Sequence, residues 1–363
     1  MDYSSSIFQS CVSFYQSLCD EESRFLYRAA FVWRMLGLEQ FYKCVEEYDY
    51  HKDYGWNELD DYEFFKEDRS GRIVLFGSGS NGMELYYQLK AMAYNVVAFC
   101  DNDSGKIGTK YCGLTVISAE QLKNDYTDAF VIITVSNKDI KEKIYKQVSG
   151  LGFGREKICL PVTGFACIYN LDKKQYFDSA IFTPGENEIY IDAGAFDGQT
   201  VIQFAEWCGG KYEKIYALEP SKEMAEKCSD TIRQKALENV EILCGGAYSE
   251  NTELYLDNSL CGSGAASISD SGRDAIKCYS IDSLLKGGPA TYIKMDIEGS
   301  ELAALKGANN TIMKYKPKLA VCLYHKQEDL VAIPAYIRAL RDDYKFYIRK
   351  YTPHHGEIVL YGI

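Results

Sequence analysis

Little in this chain ties it to a polyanion, a membrane or an oxidising compartment. Positive charge is in deficit: 40 Lys and Arg stand against 52 Asp and Glu, a net charge of −12 over 363 residues. Nucleic-acid binders neutralise phosphates with clustered Lys and Arg. No such cluster is present, so no nucleic-acid partner is expected. Long apolar runs are missing too, and none approaches the roughly 18 uninterrupted residues that a spanning helix needs. The opening stretch MDYSSSIFQSCVSFYQSLCDEESRF lacks the basic start and apolar centre of a secretory signal. These absences predict a soluble, cytoplasmic protein. The 13 cysteines are scattered from Cys11 to Cys322, with an odd total and no Cys-x-x-Cys pair. That pattern points to reduced, buried thiols and away from a disulfide or zinc scaffold. Histidine is scarce, at 4, which narrows the choice of any acid–base residue.

What is present is strand–helix alternation, in a chain long enough for two domains plus extensions. Residues 1–70 contain no proline, and Phe25, Leu26, Ala29, Val32, Trp33, Leu36 and Leu38 recur near helical spacing, so a helical N-terminal extension is predicted. From Arg72, RIVLF, NVVAFCD and AFVIITVS read as strands separated by the helices SNGMELYYQLKAMAY and KDIKEKIYKQVSGLGF. The reading is a Rossmann-like nucleotide-binding domain over 71–160, a linker over 161–185, and a fresh start over 186–363. In that last region EIYIDAG, KIYALEP, VEILCGGA, TYIKMDI and KLAVCLY alternate with helices, HGEIVLYGI closes the chain, and TELYLD, GAASISD and AIKCYSID look like extra strands. The fold class is therefore α/β, two doubly wound domains behind a helical extension.

Each domain carries a glycine turn where a parallel sheet binds ligands, at the carboxyl end of a strand. Upstream, Gly77-Ser-Gly79-Ser-Asn-Gly82 matches G-x-G-x-x-G between a strand and a helix, with Asp101 after the next strand at the distance of a ribose-binding acid. Such a turn lets backbone and helix N-terminus approach a pyrophosphate. A turn that only packs the helix on the sheet is the plainer alternative. Downstream, Asp192-Ala-Gly194-Ala-Phe-Asp197-Gly198 lacks that spacing and adds two acids, which would repel phosphates. A cationic, phosphate-free ligand such as S-adenosylmethionine fits better. Glu219 at the tip of the next strand suits ribose hydroxyls, though Asp192 and Asp197 also read as helix caps. The set assigned to the methyl donor is Asp192, Gly194, Ala195, Asp197, Gly198, Glu219, Pro220, Gly246 and Ala247, the last two ending VEILCGGA.

From about Ile181 onward, IDAGAFDGQT, IYALEPS, YIKMDIEGSELAALKGA and LAVCLYHKQEDLVAIPAYI resemble the FkbM family of S-adenosylmethionine-dependent methyltransferases. The resemblance covers about half the chain, and the Asp-x-Glu-Gly-x-Glu segment is its most specific piece. It implies a class I methyltransferase fold and methyl transfer, usually to an oxygen on a sugar or other small molecule. Upstream, VLFGSGSNG and VVAFCDND are similar, more loosely, to the nucleotide-sugar-binding domains found before sugar-modifying enzymes.

Methyl transfer from a sulfonium is an in-line displacement that needs positioning and loss of the acceptor's proton. Asp296 ends the fourth strand and His325 follows the fifth, so these two are the candidate catalytic pair. Glu298 and Glu301 are candidate substrate contacts, although both also suit a helix N-terminus. Acids at that place can also hold Mg²⁺; no metal ligands are assigned. His354 and His355 read as an exposed turn. Three further readings stay open. One is a nicotinamide-dependent or nucleotide-sugar-binding protein with an inactive or regulatory second domain. Tyr86 and Lys90 have the Tyr-x-x-x-Lys spacing for redox work but lie too close after the glycine turn. Another places a sugar nucleotide upstream for methylation downstream. The last makes the first domain a docking module for a glycan-assembly partner.

Overall fold

The structure is a computed structural model that describes residues 3–47, 69–160, 175–257, 267–269, 274–351 and 356–363. His354, His355 and most of the segment expected as a linker lie outside the described residues. The chain divides into two compact units, Arg28–Asp172 with Tyr351–His355, and Met1–Tyr27 with Lys173–Lys350 and Gly356–Ile363. The predicted helical extension appears as helices Tyr3–Ser17, Glu21–Leu36 and Leu38–Glu47, and its residues are shared between the two units. No helix among the described residues is long and apolar enough to cross a membrane.

The first unit holds a sheet built from β1 (Ile73–Phe76), β2 (Val96–Cys100), β3 (Lys110–Tyr111), β4 (Leu114–Ile117), β5 (Phe130–Ile133) and β6 (Ile158–Cys159). Their order is β3-β4-β2-β1-β5-β6, parallel except for β3. Alternate residues of β1 feed opposite cores. Ile73 and Leu75 pack with Leu85 and Leu89 of helix Ser80–Ala91, whereas Val74 and Phe76 pack with Leu122, Ile144 and Val148 of the helices on the other face. A strand buried on both faces reads as a continuous apolar run, which is why RIVLF was legible.

The second unit's main sheet comprises β7 (Glu188–Ala193), β8 (Tyr212–Glu219), β9 (Val240–Cys244), β14 (Tyr292–Met295), β15 (Lys318–Cys322), β16 (Phe346–Lys350) and β17 (Ile358–Gly362). The order is β16-β17-β15-β14-β7-β8-β9, and β17 runs antiparallel to both its neighbours. The chain leaves β7 toward β8 on one side and later returns to β14 on the other. That reversal opens the crevice in which ligands bind. The expected extra strands form a separate small sheet from β10 (Gly246–Ala247), β11 (Thr252–Asp257), β12 (Ser267–Ser269) and β13 (Asp274–Tyr279), ordered β10-β13-β11-β12.

Two features of this unit differ from the expectation. Strand β16 was not foreseen, because FYIRK ends in two basic residues and alternates rather than running apolar. Its outer edge is covered by the N-terminal segment: Leu18 bridges to Phe346, Cys19 N–H donates to the Phe346 carbonyl at 3.0 Å, and Arg349 pairs with Asp20 at 2.6 Å. Second, the part of the expected linker that is described, from Gln175, packs into the unit, with Tyr176, Phe177 and Phe182 buried. Phe177 lies against Tyr190, Phe204, Trp207 and Tyr292.

Candidate active site

The downstream glycine turn is stapled to the strand beside it. Gly194 and Ala195 both donate their N–H to the Leu218 carbonyl at 3.0 Å, and Phe196 N–H donates to Glu219 Oε2 at 3.0 Å. The other Glu219 oxygen accepts the Ser221 N–H at 2.9 Å. Glycine is required at the bend: Gly194 has φ +90, and a Cβ there would lie 1.9 Å from the Asp296 carbonyl oxygen. Gly198, at φ +86, opens helix Gln199–Trp207 against the backbone of Cys228. Burial, opposed by its two backbone hydrogen bonds, leaves the Glu219 carboxyl above its ordinary range.

Beneath the turn lies an ion pair. Asp192 is fully buried, accepts from the Thr200 hydroxyl, and faces Lys294 of β14 at 3.1 Å. The Lys294 ammonium also donates to the Gly194 carbonyl at 2.7 Å and the Ala193 carbonyl at 3.3 Å. The ammonium thus has two carbonyl acceptors and a carboxylate ion-pair partner, the condition under which a buried charge is tolerated. Burial alone would lower the Lys294 pKa, but the carboxylates of Asp192 and Asp296 hold it above the usual range. Asp192 is therefore the turn's anchor.

Next to this pair, at the end of β14, Asp296 receives the Tyr176 hydroxyl at 2.8 Å and the Tyr324 hydroxyl at 3.0 Å. Burial works against the Asp296 charge, but Lys294, His325 and the two hydroxyls keep the pKa below the ordinary value. The chain then turns through two left-handed residues, Glu298 at φ 53 and Gly299 at φ 93, and of the two only the non-glycine Glu298 holds strained backbone. His325 Nδ1 lies 2.7 Å from Glu301 Oε1, and its Nε2 faces Asp296 Oδ1 at 3.4 Å and Glu298 Oε2 at 3.5 Å. Burial pushes the His325 pKa down, yet the Glu301 hydrogen bond and the carboxylates of Glu301, Asp296 and Glu298 raise it to about 9. Behind them, Gln175 joins Tyr176 at 3.3 Å to Glu357 at 2.7 Å, whose carboxyl burial pushes up to about 7.

The structure thus brings Asp192, Gly194, Ala195 and Glu219 together, and Asp296, Glu298 and His325 together. Pro220 links Glu219 to Ser221, the cap of helix Lys222–Gln234. Gly246 and Ala247 sit buried in β10 just past Gly245, whose N–H donates to the Glu219 carbonyl at 3.0 Å. Two of the expected site residues have partners inside the protein. Asp197 accepts the Gln199 N–H at 3.3 Å and lies 3.7 Å from Lys227, so its carboxylate has partners within the turn that leads into the helix. Glu301 is fully buried, spending Oε1 on the Ile297 N–H and on His325, so it stands behind the histidine and out of an acceptor's reach. Sequence reasoning missed Lys294, Tyr176, Tyr324 and Glu357. Only Lys294 left a signal, a lone cation inside the apolar strand YIKM.

The upstream turn is arranged differently. Gly77 has φ +119, and a Cβ on Gly82 would meet the Gly77 carbonyl at 2.2 Å, whereas one on Gly79 would meet nothing within 4 Å. Asp101 Oδ2 accepts both the N–H and the hydroxyl of Ser78, at 2.9 and 2.5 Å, and lies 3.3 Å from Lys106. Oδ1 accepts the Asp103 N–H at 3.0 Å. Burial opposes this charge, but the bonds from Ser78 and Asp103 bring its pKa down to about 2. The expected ribose acid is committed to closing its own turn. Tyr86 is buried in the core, away from any redox role.

Comparison with known proteins follows the same division. Residues 192–351 match the Methyltransferase FkbM domain, and residues 69–159 match the C2185-like, N-terminal family. Among solved structures, methyltransferase FkbM from Methylobacillus flagellatus KT is 20% identical, covering 93% of this chain and 98% of that one at TM-score 0.52. An rRNA methylase from Streptococcus thermophilus is 14% identical, covering 56% and 95% at TM-score 0.35. Aeropyrum pernix fibrillarin, solved with S-adenosyl-L-methionine, is 9% identical, covering 50% and 67% at TM-score 0.33. A search of curated proteins found no match. At 20% identity the likeness to the Methylobacillus flagellatus structure is one of fold.

Proposed function

Taking as premise the methyltransferase FkbM domain over residues 192–351, we propose that the second unit moves the methyl group of S-adenosylmethionine to a hydroxyl oxygen of a small acceptor, of the sugar class. The observation that carries the reading is Glu219. Its carboxylate is tied by backbone N–H groups to a phosphate-excluding glycine turn, at the sheet's reversal, with lone pairs left for two ribose hydroxyls. Gly194 and Ala195 let the donor approach the backbone, and Gly246 and Ala247 border it past β9.

The acceptor oxygen attacks the methyl carbon, the carbon–sulfur electron pair returns to sulfur, and S-adenosylhomocysteine leaves. Asp296 and His325 are the proposed catalytic pair, oriented by Tyr176, Tyr324 and Glu301: the Asp296 carboxylate receives the hydroxyl proton, and the charged His325 ring holds that carboxylate in place. Glu298, half-exposed beside them, is the proposed acceptor contact. Effective positioning of this kind contributes more than any single proton transfer.

For the first unit we propose a nucleotide or nucleotide-sugar site at the start of helix Ser80–Ala91, where Gly79 leaves the N-terminus without a side-chain cap. Titration with UDP-sugars and NAD⁺ tests it, and heat from neither ligand would reduce the turn to a packing device. The methyl-donor reading is tested by titrating S-adenosylhomocysteine calorimetrically. Micromolar binding that Glu219→Ala abolishes is expected; no binding at millimolar ligand overturns it.

A further inference from the structure

The groups around Asp296 do not all come from the matched methyltransferase residues. Glu357 follows residue 351, where the FkbM match ends, and Gln175 and Tyr176 precede residue 192, where it begins. Strand β17 runs antiparallel to β15 with Val359 opposite Cys322, so Glu357 lies at the carboxyl edge of the parallel strands, where β14 delivers Asp296. The backbone is fixed there. Leu323 N–H donates to the Ile358 carbonyl at 2.9 Å, and Glu357 sits at φ 59, a left-handed conformation that a non-glycine residue keeps only when its surroundings impose it. One carboxylate oxygen is fixed too. Glu357 Oε2 accepts the Gln175 amide at 2.7 Å, and the carbonyls of Gln175 and Tyr176 accept the buried hydroxyls of Tyr361 and Tyr292. Oε1 accepts no hydrogen bond among the described residues, and Glu357 is only partly buried.

We propose that Glu357 Oε1 receives a hydroxyl next to the one that is methylated, so that the acceptor is an uncharged vicinal polyol held at two places. Asp296 already accepts Tyr176 on Oδ2 and Tyr324 on Oδ1, so a second acceptor hydroxyl needs another carboxylate. Glu357 is tied to Asp296 through Tyr176 and Gln175, a chain of hydrogen bonds that sets the spacing of the two acids. Charge narrows the acceptor further. Burial and the Asp296 carboxylate lift the Glu357 pKa against the pull of Gln175, His325 and Lys350. The same surroundings oppose any phosphate or carboxylate brought beside the methylated carbon. The nearest cations are engaged: His325 among Glu301, Asp296 and Glu298, and Lys294 with Asp192 and two carbonyls.

The inference rests on the methyl-transfer reading and narrows its acceptor. The oxygen–carbon bond forms as the carbon–sulfur pair returns to sulfur, and the proton goes to Asp296. Glu357 takes part in no bond exchange. A ring held by one hydrogen bond swings about it, whereas a second contact fixes which hydroxyl lies in line with the leaving sulfur.

The test offers full-length protein and S-adenosylmethionine the methyl pyranosides of glucose, galactose, mannose and rhamnose, their monodeoxy analogues, and the methyl glycosides of glucuronic and galacturonic acid, with S-adenosylhomocysteine formation as readout. We expect methylation of at least one neutral glycoside, a kcat/KM about 10- to 100-fold lower when the neighbouring hydroxyl is removed, and the uronides at least about tenfold poorer. Glu357→Ala should lose the same factor on the intact glycoside and nothing further on its deoxy analogue, because residue and hydroxyl belong to one contact. Glu357→Gln keeps the shape without the charge and should narrow the gap between neutral glycoside and uronide. S-adenosylhomocysteine affinity, measured on each variant, reports folding and should not change. An equal deoxy penalty in wild type and Glu357→Ala overturns the contact and leaves methyl transfer standing. Uronides methylated as well as neutral glycosides overturn the charge selection. Donor binding with none of the glycosides methylated overturns the polyol acceptor, whereas loss of donor binding in the wild type overturns the methyl-transfer reading itself.

Discussion

Asp101 and Glu219 occupy matching places, each closing the strand next to a glycine turn, and they are put to opposite uses. Asp101 takes every nearby donor for itself, from Ser78, Asp103 and Lys106, and its pKa falls to about 2. Glu219 holds only two backbone N–H groups, and burial drives its pKa up. Hydrogen bonds outweigh burial at the first acid, and burial outweighs them at the second. The carbonyls of the first glycines show the same contrast. A Thr134 hydroxyl holds that of Gly77 at 3.0 Å, while a buried ammonium, Lys294, holds that of Gly194 at 2.7 Å.

The sharpest way to break the comparison is at these carbonyl holders. Lys294→Met leaves Asp192 charged and buried, and should lower unfolding free energy by about 3–5 kcal/mol; Thr134→Val should cost about 1 kcal/mol. Urea denaturation of the two variants would show it, and equal losses would mean the ion pair is not the downstream anchor. The bends come next. Gly194→Ala meets both a positive φ and the Asp296 carbonyl, for roughly 2–4 kcal/mol. Gly79→Ala adds its Cβ to open space and should stay within about 1 kcal/mol.

The acids separate stability from binding. Glu219→Gln should change stability by no more than about 1 kcal/mol while weakening S-adenosylhomocysteine about 10- to 100-fold in calorimetry. Asp101→Asn should do the converse, and only at the right pH. A folded-state pKa of about 2, below the ordinary value of 3.8, means stability that is full above pH 3.8 and fades as pH falls toward 2. The gap between wild type and Asp101→Asn in urea midpoint should therefore narrow across that interval. A gap independent of pH would remove the charge from the explanation.

How much of this was legible follows from where the information lies. Strands buried on both faces, such as IYID and IVLF, announce themselves, and Asp192, Glu219 and Asp296 are each marked by lying at or next to the carboxyl end of a strand. The neighbourhood of Asp296 was only partly readable. Tyr176 reaches it across 120 positions from a segment without periodicity, and no local pattern encodes that contact. Glu301 looked like a substrate acid because helix-capping and binding acids share one sequence signature, and only burial separates them. Strand β16 was missed because half of its side chains face away from the core.

The contact between the N-terminal segment and β16 has a consequence for how the chain is made. Ser23 accepts the Ile348 N–H across 325 positions, and Leu18 and Asp20 depend on the same late strand. At about 5–20 residues per second of synthesis, the N-terminal segment waits roughly 16–65 s for its partner. During that wait Phe14, Leu18 and Tyr27, all buried in the finished unit, have no surface to cover them from β16. Newly made chains should therefore engage holding chaperones through their first residues, and release should follow emergence of the last strands.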